Sequence, residues 1–578
     1  MVRRGTSLLP SQFLYVLGEL TMRTCALRVM GFALVVVGMA ASATPAEPDL
    51  RIVEAAARQD LATVRTLLKQ RGVNVNTARA DGATALLWAA HWNDLQTVDA
   101  LLKAGANVNA ADDHGVTPLS QACENASVAL VEKLLQAGAN PNAVQESGLT
   151  PLMVAAHTGN VTIVKALLAR GADIDAATKE TKDRALMWAI ADQHADVFRV
   201  LIEAHADVHA ANAKSFTPLM IAARNGDIEV AKALIAAGVN VNETGPDQTH
   251  VLPFAINAGQ APFAMFLLEQ GADPEGSMGG VRALHTAVGG VNGWLAPWGR
   301  IHGFGGFGMG GGVGRNGTPR GGINSAARLQ LVKALLGRGA DPNSRITTSS
   351  MFMDYIGYPT KGAFEPFSCG TGDLLGATPL WLASYSANGS VGGFGGDGNQ
   401  QQPALEMTAE AGAQSTALIR ALLDGGADLR LTTVDGTTPL MVAAGLGRCT
   451  FQPGIKRGRR AASAEAAVTV LLDAGANVNA INEADFTALH GAAMRGLDEV
   501  IKILVDRGAH INGRDYRGRT AYRLAEGAKQ SFQFQAYPET AEFIKGLGAD
   551  TTLGIPGDLQ ERLRDAAPTT SQQQQQQQ

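Results

Sequence analysis

The sequence predicts an all-α repeat solenoid, and three observations carry that reading. A glycine follows an apolar pair again and again (LLKQRG, LLKAGA, LLQAGA, LLARGA). It falls at Gly72, Gly105, Gly138 and Gly171, then at Gly238, Gly271, Gly339, Gly426, Gly475, Gly508 and Gly548, with His205 once in its place. The regular steps are 33 residues, with a single 34. A Thr-Pro-Leu marker precedes it at Thr117, Thr150, Thr217, Thr378 and Thr438, with looser forms at Thr84 and Thr487. Finally, 46% of the 578 residues are hydrophobic, which excludes wholesale disorder. A unit of this size cannot close a core alone, but stacked neighbours can.

The first segment reads as an address. Val29 to Ala43 carries no charge and is preceded by Arg23 and Arg28. A basic flank, a short apolar core and a small-residue end make a secretory signal peptide over 1–43, with Met22 the better start. The stretch is short for a membrane span, so the mature chain is expected to hold no stable span and to be periplasmic or secreted. A membrane-tethered scaffold held by 29–43 is the alternative. Residues 49–81 form a charged first unit without Thr-Pro, as an N-terminal cap requires.

Regular units follow over 82–280. In each, threonine caps a helix and proline at its first position forgoes a hydrogen bond it would not have made. A pattern such as LMVAA is a short helix with small residues where a neighbour comes close, and a polar turn reverses the chain. A second helix (VTIVKALLAR) then ends at a glycine suited to the left-handed cap. A segment such as ANVNA leads into an Asp/Gly-containing hairpin.

The T-P-L…A-A…L-L…G-A-x-x-N pattern recurs about twelve times from Asp49 to Asp550. In these residues the chain resembles the ankyrin-repeat family. That resemblance implies a stack of helix-turn-helix units with hairpins projecting at right angles, and a binding role towards another protein. It also implies a concave groove lined by the residues after the Ala-Ala pair and by hairpin tips. Carried over, the helix positions are His91, Trp92, Glu124, Asn125, His157, Thr158, Arg224, Asn225, Met494 and Arg495. The hairpin positions are Asp113, His114, Gln145, Glu146, Lys214 and Glu483. His285 and His490 follow the marker leucine, where the family places a structural histidine.

The period breaks in 281–475. The marker leucine normally stands 19 residues before the glycine, but the distance is 55 from Leu284, 46 from Leu380 and 35 from Leu440. The insertions are 289–323, 387–414 and 447–463 between the two helices of a unit, and 346–376 on a hairpin side. Two of them hold Trp294, Trp298, Phe304, Phe307, Phe352, Tyr355, Tyr358, Phe364 and Phe367. Such side chains form either a satellite core folded back on the array or an aromatic contact surface for a partner. C-terminal units and a cap occupy 476–550, and 551–578, ending in a glutamine run, reads as a disordered tail.

Chemistry is sparse. Gly306-x-Gly308-x-x-Gly311 matches a dinucleotide fingerprint only formally, since no strand–turn–helix unit surrounds it. No phosphate loop, H-E-x-x-H, C-x-x-C or G-x-S-x-G occurs. No cofactor, metal or catalytic residue is expected. The net charge of −5 gives no reason to expect nucleic acid. Cys123 reads as an inert core thiol, and an exported location would permit a bridge between Cys369 and Cys449. The leading expectation is a monomeric, non-catalytic protein binder. The alternative is an enzyme or small-ligand binder joining Cys369, Asp373, His302 or Asp354.

Overall fold

A computed structural model of the chain describes residues 49–302, 323–348, 375–387, 409–447, 461–527 and 536–554. Helix pairs dominate from Arg51 onward, and the order is first helix, turn, second helix, hairpin. Pro118–Glu124 with Val128–Gln136, and Pro151–Thr158 with Val161–Ala169, are representative units. First helices pack on first helices of neighbouring units, and their apolar residues merge into one continuous core from Ile52 to Ile544.

The marker threonines act as caps. Oγ1 of Thr117, Thr150 and Thr378 accepts the backbone N–H three residues on, at 3.2, 3.3 and 3.2 Å. The glycine slot is left-handed, as at Gly105 with φ 86°, a conformation that costs a side chain strain. His205 adopts it too, at φ 65°, so the 34-residue step keeps the cap geometry without glycine.

The hairpins are mostly turns. Among the described residues one two-stranded ladder occurs, Ser277–Met278 with Val281–Arg282, alongside isolated bridges such as Ala78 to Thr84. Neighbouring hairpins are joined by single backbone bonds, such as Asp113 N–H to Asp81 O at 2.9 Å and Glu146 N–H to His114 O at 2.8 Å. Beside them runs an asparagine ladder. Asn109 donates Nδ2–H to Gly138 O, while its Oδ1 accepts from Asn140 N. Asn76, Asn142, Asn242, Asn343 and Asn479 repeat this.

The insertions differ from plain loops where they are described. Helix Asn292–Ile301 lies within 289–323, and helix Ala409–Asp424 draws in the end of 387–414. The first residues assigned to the tail are ordered by contacts with the last unit. Thr551 to Gly554 form a turn because Arg523 donates to the carbonyls of Leu553 and Thr551. The signal segment, Phe304, Phe307, Phe352, Tyr355, Tyr358, Phe364, Phe367, Cys369, Cys449 and the remaining tail lie outside the described residues. No helix among the described residues is long and apolar enough to cross a membrane.

Candidate interaction face

The polar turn after each first helix does structural work. Asn125 Nδ2 donates to Ala90 O at 2.9 Å and His91 O at 3.1 Å. Asn225 does the same for Ile190 and Ala191, and Trp92 Nε1 donates to Ala57 O at 3.2 Å. Each turn thus donates to carbonyls at the end of the preceding unit's first helix, adding to the turn bonds that Ala90 O and Ile190 O accept from Asn93 N and Gln193 N. This role was not visible in the sequence, because its partners lie 34 or 35 residues away.

The candidate contact residues divide accordingly. His91, Trp92, Asp113, His114, Glu124, Asn125 and Glu146 are exposed, as are Lys214 and Glu483. Gln145, His157, Thr158, Arg224, Asn225 and Arg495 are half-buried. His157 Nδ1 stands 2.6 Å from the Asp192 carboxylate, with its ring edge against Trp188. Met494 corrects the expectation. It is buried in a cluster with Met441, Leu446, Ala484 and Phe486, drawn from its own unit and the preceding one.

At the N-terminal end, Trp88 and Trp92 stack with centroids 6.3 Å apart, and His91 meets Trp92 edge-on at 4.7 Å. The Arg79 guanidinium lies over Trp88 at 5.7 Å. Trp92 remains 41% exposed, an unusual state for so large an aromatic.

Further along, the same face is covered by the chain itself. Helix Asn292–Ile301 buries Trp298 against Phe254 at 6.1 Å and Phe216 at 6.4 Å. Trp298 Nε1–H donates to Asp247 Oδ2 at 3.0 Å and Thr249 Oγ1 at 2.9 Å. His302 stacks on Trp298 at 4.2 Å, and its two nitrogens face Asp247 Oδ2 at 2.9 Å and Trp298 O at 2.7 Å. Burial works against the Asp247 charge, but bonds from Thr249 and Trp298 and the His302 charge hold its pKa below the ordinary value. Trp294 is buried edge-on against Trp381 at 6.2 Å. Trp294 and Trp298 therefore belong to packing and not to an exposed contact surface. His302 is engaged with Asp247, while Asp354, Cys369 and Asp373 lie outside the described residues.

The buried histidines and thiol fit structural roles. His285 is fully buried, with Nε2 3.1 Å from Ser344 O and Nδ1 accepting from Arg282 N at 3.3 Å. Burial, against the hydrogen bond to Ser344, draws its pKa down to about 4. His490 is lowered too, mainly by burial. Burial pushes the Cys123 thiol well above its ordinary value, so thiolate is scarce. No cluster among the described residues could hold a metal ion.

Comparison with known proteins agrees with this architecture. The family model described as ankyrin repeats (3 copies) matches residues 52–145, 120–212 and 219–292, and that described as ankyrin repeats (many copies) matches 471–525. The chain is 34% identical over 134 residues to the Homo sapiens ankyrin repeat and SOCS box protein 16, covering 23% of this chain and 26% of that protein. It is 37% identical over 94 residues to the probable E3 ubiquitin-protein ligase XBOS34 of Oryza sativa subsp. japonica, 16% and 15% of the two chains. The chain spans between 15% and 35% of the lengths of the curated relatives it matches. The crystal structure of the human ASB11 ankyrin repeat domain aligns at 31% identity over 39% of this chain and 98% of that chain, with a TM-score of 0.34. With the two family models together spanning about half of the sequence, the chain belongs to the ankyrin-repeat family, whose repeats serve protein–protein interaction.

Proposed function

We propose that the chain is an exported, monomeric, non-catalytic array that binds another protein through its first-helix ends and hairpin tips. The observation that carries this reading is the exposed strip of His91, Trp92, Asp113, His114, Glu124 and Glu146. These side chains sit on elements fixed by inter-unit hydrogen bonds, so the strip is held in place before any partner arrives. Little ordering entropy is then lost on association. A large amphipathic aromatic set among polar groups suits a modest protein interface. Export is supported by the charge-free Val29–Ala43 stretch behind Arg23 and Arg28. The relatives named for a SOCS box or as a probable ligase match through part of their length only, and a match to ankyrin-repeat proteins supports a recognition role.

Photo-crosslinking from position 91 in the expressed protein, followed by mass spectrometry, tests the reading. A reproducible protein adduct in the exported fraction supports it. Absence of any adduct there, or N-terminal sequencing that finds the mature chain starting before Met22, removes the corresponding part.

A further inference from the structure

The array contains its own example of how this face accepts a ligand. Helix Asn292–Ile301 places Trp298 on Phe254, donates its indole N–H to Asp247, and sets His302 against the same carboxylate. Phe254 stands two residues after the marker Leu252, and Asp247 stands five before it. An indole and an imidazole thus dock together onto a first-helix aromatic and a hairpin acid.

The N-terminal units repeat those two positions and leave the surface beside them open. Trp88 stands two residues after Leu86, and Asp81 five before it. Arg79 over Trp88 shows that a guanidinium fits this aromatic surface. Next to it, His91 and Trp92 are exposed, and no segment of the described chain covers them.

Basic side chains on this stretch keep to one face. Between Asp81 and Leu149 the sequence has two basic residues other than histidine, Lys103 and Lys133. Both are on second helices and pair with Asp99. The first helices and hairpins of the stretch carry Asp81, Asp112, Asp113, Glu124 and Glu146 instead. Of these, Asp81, Asp113, Glu124 and Glu146 are exposed, and His114 approaches Glu146 at 3.3 Å. Acidic groups beside an exposed tryptophan attract cations through both Coulomb and cation–π terms.

We propose that the face from Asp81 to Glu146 is the docking surface for an extended segment of a partner protein in which arginine or lysine adjoins an aromatic residue. This rests on the protein-binding reading above and names the chemistry of the partner. The covered face around Phe254 is the intramolecular counterpart of that complex.

The test uses the full chain and two fluorescein-labelled peptides of equal length, one alternating arginine and tryptophan, the other glutamate and tryptophan. Anisotropy is expected to show the arginine peptide bound at least about tenfold more tightly, with affinity falling as salt rises. The double variant Asp113→Lys with Glu124→Lys should lose about tenfold or more, and Trp92→Ala should weaken binding while leaving salt dependence in place. All these positions are exposed, and an unchanged circular-dichroism melt verifies folding. Equal binding of the two peptides, or an unaltered affinity in the double variant, overturns the proposal. The crosslinking experiment separates the two failures. A partner adduct mapping to an acidic or uncharged segment sinks this proposal and leaves the protein-binding reading intact, whereas no adduct at all sinks the reading itself.

Discussion

Acidification should loosen the array at His285 before it affects the regular units. The imidazole is fully buried in helix Ala283–Val288, and its neutral form satisfies both neighbours, donating from Nε2 to Ser344 O and accepting at Nδ1 from Arg282 N. Its pKa in the fold is about 4, against 6.5 for the free side chain. The unfolded state therefore binds the proton more readily. The contribution is fully present above about pH 6.5, shrinks as pH falls below that, and levels off below about pH 4. From about pH 7 to about pH 5 the loss works out at about 2 kcal/mol. Long repeat arrays depart from two-state unfolding, so the loss should be read locally, as the opening free energy of amides in Ala283–Val288 by hydrogen exchange. His285→Gln keeps a donor for Ser344 O and cannot titrate, while His490, shifted in the same direction, cancels in the comparison. The wild-type opening energy should fall by about 2 kcal/mol relative to the variant across that range. Parallel curves within about 0.5 kcal/mol would refute the assignment of a buried neutral histidine.

Three further outcomes follow from the packing. Asn142→Ala removes the bond to Gly171 O at 2.9 Å and the acceptor for Asp173 N at 2.7 Å, and should cost about 1–2 kcal/mol in urea unfolding, with the adjoining hairpin amides exchanging first. Gly279→Ala sets a side chain on a φ of 54° with its Cβ 2.8 Å from Trp298 Cβ, so it should raise the accessibility of Trp298 to acrylamide quenching while the N-terminal units keep their exchange rates. Trp298→Phe keeps a ring on Phe254 but removes the donor to Asp247 and Thr249, and should weaken the docked helix by about 1–3 kcal/mol, read as faster exchange in Asn292–Ile301.

The repeat itself was legible because its chemistry is local. A threonine cap, a proline at the first helical position and a left-handed glycine each act within a few residues, so Thr150, Pro151 and Gly171 state their roles in the sequence. The histidine after the marker leucine was legible too, for His285 and His490 are buried where the family places a structural ring. What escaped sequence reasoning is non-local. Asn125 and Asn225 read as groove residues, yet each spends its amide on carbonyls of the preceding unit. Met494 read as exposed because the residues it is buried with, Met441 and Leu446 among them, include side chains of another unit.

One signal in the sequence does bear on which part of the face is open. Two residues after the marker leucine the chain carries Trp88, Gln121, Val154, Trp188, Ile221 and Phe254 in successive units. An apolar residue at a surface-facing position needs a cover or leaves a patch, and large exposed patches mark interaction sites. Phe254 has its cover in Trp298, carried by the first long insertion, and Gly279 lacks a side chain where Trp298 passes. In the first regular unit Trp88 meets Arg79, His91 and Trp92, and Trp92 remains 41% exposed. On the proposed reading, an insertion that covers Phe254 while Trp92 stays open directs a partner to the N-terminal units. The acidic side chains that bear no competing lysine or arginine on the same elements, Asp113, Glu124 and Glu146, lie in that stretch. Grafting a second tryptophan-bearing helix over Trp92 should then abolish binding, whereas deleting Asn292–Ile301 should leave it in place.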